Sequence, residues 1–222
     1  MPAVQNRALI PYLQPRYTAA ELATLRQFLD RKGAFAFRTL SNGLFPAASS
    51  ALPGSSSGYQ YIWVRDNVHI AYCHYAWGDA RTAARAAVTL LAFFRKHAHR
   101  FKDIIGGRTD PSTAMNRPHI RFDGETLEEV DQRWPHAQND ALGYFLWLYS
   151  KLAGARSVPC GPAELDVLAL FPRYFQAIEY WSDADSGHWE EARKVAASSS
   201  APSWRDCGSL RGFSTPRGSR RT

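Results

Sequence analysis

Asp140-Ala-Leu-Gly-Tyr-Phe-Leu-Trp-Leu-Tyr-Ser-Lys-Leu-Ala-Gly154 decides the fold class. Leu142, Phe145, Tyr149 and Leu152 recur at spacings of three and four, which puts them on one face of an α-helix, and Gly154 supplies its stop. A half-buried strand would need a period of two, and no part of the chain shows that clearly.

Working outward, the same logic repeats. Toward the N-terminus, Asp79 is placed to cap a helix in which Ala84, Val88 and Leu91 alternate with Ala87, Leu90 and Phe94 as one apolar stripe, ending in a basic turn from Arg95 to Lys102. Before it, Asp66 to Trp77 reads as helix, with Gly78 as its stop. Thr18-Ala-Ala-Glu21 is a capping box, and Leu22, Leu25, Phe28 and Leu29 extend the helix it opens over 19–32, up to Gly33. Toward the C-terminus, Pro162 to Trp181 carries a further stripe that Pro172 kinks or divides. Five or six antiparallel helices result, and the fold class is all-α. Two loops separate them: the Ser/Gly/Pro-rich segment from Ser41 to Gly58, and Gly106 to Gln132, which is too long to be a mere connector.

Composition narrows the function. With 45% hydrophobic and 13% aromatic residues, the 222 residues suffice for a packed core and exclude a disordered chain. Met1 to Arg16 has neither the pattern of a signal peptide nor the length of a membrane span, so a cytoplasmic protein with no membrane partner is expected. Cys73, Cys160 and Cys207 lie far apart with no paired spacing, which argues for reduced thiols. His69 and Cys73 offer only two ligands on one helix, so no metal and no cofactor are expected. The net charge of +7 is concentrated in residues 201–222, which hold five arginines against Asp206. The body is nearly balanced, and no nucleic-acid partner is expected.

Three clusters carry the chemistry, and each has a plain structural alternative. In Trp63-Val64-Arg65-Asp66, the acid could cap a helix and Arg65 could be solvated. In Trp134-Pro135-His136-Ala137-Gln138-Asn139-Asp140, Asn139 or Asp140 could be a cap beside a half-buried tryptophan. In His188-Trp189-Glu190-Glu191, the acids could be the negative first turn of a short helix running to Ala197. Together they suggest a sugar site, because aromatic faces cover the CH surfaces of saccharides and planar charged groups pair with adjacent hydroxyls. A carboxyl beside an indole is also the environment that keeps an acid protonated near neutral pH, as proton donation to a glycosidic oxygen requires.

In order and approximate spacing, Trp63-Val64-Arg65-Asp66, Trp134-x-His-x-Gln138-x-Asp140-Ala141 and Trp189-Glu190-Glu191 resemble three signatures of the family 15 glycoside hydrolases, the glucoamylase-like family. Arg117-Pro-His-Ile-Arg121-Phe-Asp-Gly124 is similar to its bacterial branch, which in turn resembles the α and β regulatory subunits of phosphorylase kinase. The resemblance implies an (α/α)6 toroid of twelve helices, about half of them present, with residues 1–200 as the N-terminal half of a catalytic domain. It implies an α-glucan or oligosaccharide substrate, cleaved at the terminal α-glucosyl unit with inversion. Arg65 and Asp66 would grip that unit, Trp134 would stack near the scissile bond, Gln138 and Asp140 would line the pocket, Glu190 would be the general acid, and Trp189 and Glu191 would be neighbouring contacts. The family's general base lies far downstream and is expected to be missing, leaving a truncated enzyme of little turnover or, alternatively, a non-catalytic carbohydrate-binding or interaction module. A protein partner covering the exposed half-toroid is one expectation that follows.

The family pattern also leads one to expect an apolar helix, Ile-Gly-Ala-Val-Val-Ala-Gly-Leu-Arg, after Ser199, where the chain reads Ser200-Ala-Pro-Ser-Trp-Arg-Asp-Cys-Gly208. One nucleotide string read in two frames, one base apart, encodes both. Residues 201–222 are therefore expected to be an aberrant, disordered basic tail produced by a frameshift.

Overall fold

A computed structural model describes residues 6–48, 58–190, 192–197 and 199. Contacts divide the chain after Arg38 into two compact units. The first contains a 3-10 turn, Arg7–Tyr12, and helix α1, Ala19–Arg31. The capping box forms as the sequence predicts: the Glu21 N–H donates to the Thr18 hydroxyl, and the Glu21 carboxylate accepts from the Thr18 N–H at 2.7 Å. The expected tail at 201–222 and the substituted segment from Ser200 to Gly208 lie outside the described residues.

Among the described residues the second unit holds six further α-helices: α2 (Val64–Ala76), α3 (Ala80–Lys96), α4 (His99–Ile105), α5 (Asn139–Gly154), α6 (Pro162–Leu168) and α7 (Leu170–Ala177). The all-α class holds. The basic stretch after Arg95 is not a turn, however: Phe101 and Ile104 are buried on α4, a period too short to stand out among its charges. The Pro162 helix is divided at Ala169, three residues before Pro172, which falls in the first turn of α7, where its missing N–H leaves no helical bond unmade. A two-residue pair, β1 (Ile62–Trp63) against β2 (Arg121–Phe122), also forms, with Ile62 opposite Phe122 and Trp63 opposite Arg121. Two residues are too few to display a period, so the pair has no signature in local spacing.

The core sits where α2 packs on α3 and α5, and α4 on α7. Ala83, Ala86 and Ala87 present a buried small-residue surface on α3. The Asp79 carboxylate accepts from the Thr82 N–H at 3.1 Å and caps the helix. The centre is aromatic: the Phe171 ring lies 5.1 Å from Phe94, 4.7 Å from Phe101 and 5.4 Å from Phe145, joining α3, α4, α5 and α7. No helix of the described residues is long and apolar enough to cross a membrane.

Because Phe171 is fully buried and touches three other rings, Phe171→Ala is expected to lower stability by about 3–5 kcal/mol in chemical denaturation. Val88→Ala, at a partly exposed position on α3, should stay within about 0.5 kcal/mol of the parent. Equal effects would show that the aromatic cluster is not the core.

Candidate active site

The strand pair aims the first cluster. Trp63 ends β1 and is also the N-cap of α2, so Arg65 and Asp66 fall in the first turn of that helix. The Val64 N–H donates to Ile120 O at 2.9 Å, locking the strand-to-helix junction against the segment entering β2. Helix α5 begins beside it, with Gln138 as N-cap and Asp140 in the first turn. The N-termini of two packed helices thus carry Arg65 and Asp140 to one point.

There they pair. Arg65 is 7% exposed and Asp140 0%. Arg65 Nε donates to Asp140 Oδ2 at 2.6 Å, Nη2 donates to Oδ1 at 3.2 Å, and Nη2 also donates to Gln138 Oε1. Gln138 Nε2 in turn donates to Glu190 Oε1 at 3.2 Å, and Trp134 Nε1 donates to the same oxygen at 3.2 Å. Residues from all three sequence clusters therefore meet in one hydrogen-bonded chain. Arg65 is buried rather than solvated, neither Asn139 nor Asp140 is the cap, and Glu190 stands in a turn rather than a helix. The structural alternatives for the three clusters do not account for this arrangement.

The Glu190 turn is built to be held. Asp185 pairs with Lys194 across it, the Ser186 N–H donates to Ala137 O at 2.7 Å, and the Asn139 N–H donates to Asp185 Oδ2 at 2.8 Å. Glu190 itself has φ 57°, a left-handed conformation that L-residues with a Cβ resist. Trp189 does not close over it: the ring is 80% exposed and stands 5.5 Å from His188. The indole at Glu190 belongs to Trp134. Glu191 lies outside the described residues.

Asp66 is partly buried, and burial raises its carboxyl above the usual range, against the opposing pull of Arg65, His69 and His188. His188 Nδ1 lies 3.2 Å from Asp140 Oδ2, a contact the sequence reading did not assign. Also missed were Arg117 and Arg121, both buried, although the cue was present in two arginines spaced among apolar residues of a long loop. Arg117 makes a two-pronged pair with Asp183 at 2.6 and 2.7 Å, and Asn139 Nδ2 adds a third bond to that carboxylate at 2.8 Å. The two aspartates nearest Glu190 in sequence, Asp183 and Asp185, thus hold structural hydrogen bonds. His136 is also structural: its ring stacks on His119 at 3.7 Å, and burial pushes it far below the usual histidine range, so it is neutral and accepts from the Ile120 N–H. No group of three metal-binding side chains occurs among the described residues.

Two outcomes follow. Asp183→Ala leaves the buried Arg117 unpaired and should cost about 3–5 kcal/mol in chemical denaturation; a loss under about 1 kcal/mol would mean the pair is solvated. Asp66, whose folded-state pKa is raised, binds its proton more tightly folded than unfolded, so stability falls as pH climbs from about 4 through that raised value. Asp66→Asn should therefore stabilise the fold at pH 7 and give no gain below about pH 3.5, and a gain independent of pH would contradict the assigned cause.

A search of curated proteins finds no match. Among solved structures, a glycosidase with a glutamate-to-alanine substitution, in complex with glucose, is similar with TM-score 0.66 and 21% identity over 90% of this chain and 54% of its own. A tyrosine-to-phenylalanine glycosidase variant gives TM-score 0.66 and 20% identity over 90% and 54%. A wild-type glycosidase gives 0.61 and 19% over 88% and 58%. The chain spans little more than half the length of these glycosidases, and its helices are consistent with part of an all-α toroid. The model of the glycosyl hydrolases family 15 matches residues 31–207, and the chain belongs to that family.

Proposed function

We propose that the site is the acid-donating half of a glucoamylase-like hydrolase site, acting on the terminal α-glucosyl unit of a glucan or oligosaccharide. The observation that carries this is the pair of N–H donors, Trp134 Nε1 and Gln138 Nε2, on one oxygen of Glu190. They fix Oε1 and leave Oε2 to hold the proton. In the reaction that proton passes to the glycosidic oxygen as the bond from the anomeric carbon breaks, while water attacks the opposite face and yields its own proton to a second carboxylate. Arg65 and Asp66 supply the planar and acidic groups that pair with sugar hydroxyls, and Trp134 supplies an apolar face. The similar glycosidase solved with glucose supports a sugar ligand.

Inversion requires the second carboxylate to stand roughly 6.5 to 9.5 Å from the acid. Asp183 is held on both oxygens by Arg117 and Asp185 on Oδ2 by the Asn139 N–H, so neither is assigned that role. With no base assigned among these two, binding rather than turnover is the first property to measure on the 222-residue chain.

In calorimetry with glucose and maltooligosaccharides, Trp134→Ala should weaken binding by about 1 kcal/mol or more, and Glu190→Gln, which keeps the accepting oxygen, should bind nearly as the parent does. Any hydrolysis the parent shows should fall by about 10²- to 10⁴-fold in Glu190→Gln, because the amide has no proton to give. A parent chain that binds neither sugar, or a Glu190→Gln variant hydrolysing at the parent rate, would overturn the reading.

A further inference from the structure

Arg121 is a buried cation that the proposed sugar chemistry does not use. It is 1% exposed and sits opposite Trp63 in the β1–β2 pair. Its guanidinium lies 3.6 Å from the centre of the Trp134 ring and 5.3 Å from that of Tyr61. Nη2 donates to Gln132 Oε1 at 2.8 Å, whereas Nε and Nη1 are buried without a hydrogen-bond partner. The chain backbone closes over it: a Cβ on Gly58, at φ 73°, would come within 2.9 Å of Nη1.

Hydrogen bonding therefore accounts for only one of the three guanidinium nitrogens. The group also has close contact with a π face, which is attractive for a cation and stronger away from water. Burial pulls Arg121 below the usual arginine range, and the charges that oppose this are those of Tyr61 and Glu190. The Trp63 ring also meets the indole edge-on at 5.5 Å, and the backbone N–H of Trp134 donates to Met115 Sδ at 3.3 Å, fixing the main chain from which the ring projects.

We propose that Arg121 is a positioning residue that clamps one face of the Trp134 indole and so holds the indole N–H on Glu190. The order is Arg121, Trp134, Glu190: a cation behind the ring, the ring's N–H in front, and the carboxylate receiving it. A ring free to tilt would carry its N–H off Oε1 and let the carboxyl turn its proton away from the substrate. With the clamp in place, the anion that forms when Glu190 gives up its proton faces a fixed donor backed by positive charge. One face of Trp134 is therefore occupied by the guanidinium. This catalytic consequence rests on the proposed role of Glu190, but the clamp itself does not.

The test reads the Trp134 indole signal in ¹H–¹⁵N spectra of the full chain, identified by its loss in Trp134→Phe. In the parent it should move as Glu190 ionises and should not move in Glu190→Gln. In Arg121→Met, which keeps volume without charge or plane, that movement should be lost and the indole N–H should exchange with solvent about tenfold faster. Arg121→Lys, charged but not planar, should fall between. If Arg121→Met does not fold, Gln132→Ala, at an exposed residue, removes the guanidinium's hydrogen bond and should shift the signal the same way. A parent signal indifferent to Glu190, or parent-like shift and exchange in the folded Arg121 variant or its Gln132 substitute, would overturn the clamp. Failure of sugar binding with the Trp134–Glu190 coupling intact would count against the glycosidase reading and leave the clamp standing.

Discussion

The site depends on the Arg65–Asp140 pair, closed at 2.6 Å between the first turns of α2 and α5. A pair buried this deeply loses its hydration, and it is tolerable only where further hydrogen bonds satisfy what the two ions leave over. Gln138 accepts from Arg65, and His188 stands against Asp140. The positions also differ electrostatically. Asp140 gains from the positive end of α5, while Arg65 sits at the unfavourable end of α2 and needs its partner more. That asymmetry ties α2 to α5 in one register, because sliding either helix would strand a buried charge.

From this pair the chemistry extends outward by direct bonds. Gln138 is shared between Arg65 and Glu190, so the acid is referenced to the buried pair through a single amide. Asn139, next in sequence, fixes the other end of the loop: its backbone N–H holds Asp185 and its side chain holds Asp183. Two adjacent residues at the start of α5 thus anchor both the acid and the turn that carries it. The left-handed backbone of Glu190 persists because these anchors determine the turn from both sides.

What the sequence made legible follows from the range of the forces involved. The helices on residues 19–31, 80–96 and 139–154 announce themselves through caps and repeated apolar faces, which are local and periodic. Helix α4 was hidden because seven residues hold only two inward-facing positions among Arg100, Lys102 and Asp103. The sugar-binding types Arg65, Trp134, Gln138 and Glu190 could be picked out as a chemical kit, and the structure brings them together. Which indole would face the acid could not be read, since adjacency in sequence favoured Trp189 while the turn at φ 57° sends it outward. Arg117 could not be matched with Asp183 from the sequence, because a pairing across 66 residues leaves no trace in local spacing.

The fate of the nearby acids shows how environment assigns roles to identical groups. Asp183 is tied to a guanidinium on two oxygens and Asp185 to a backbone N–H, so each serves as a fastener. Asp66 is left with burial as its dominant influence, which costs stability once the carboxyl is ionised. Glu190 receives two neutral N–H donors on one oxygen, an arrangement that orients the carboxyl. Arg121 supplies its positive charge one ring further away. Placed behind the Trp134 ring rather than against the carboxylate, the guanidinium is linked to Glu190 through the indole N–H.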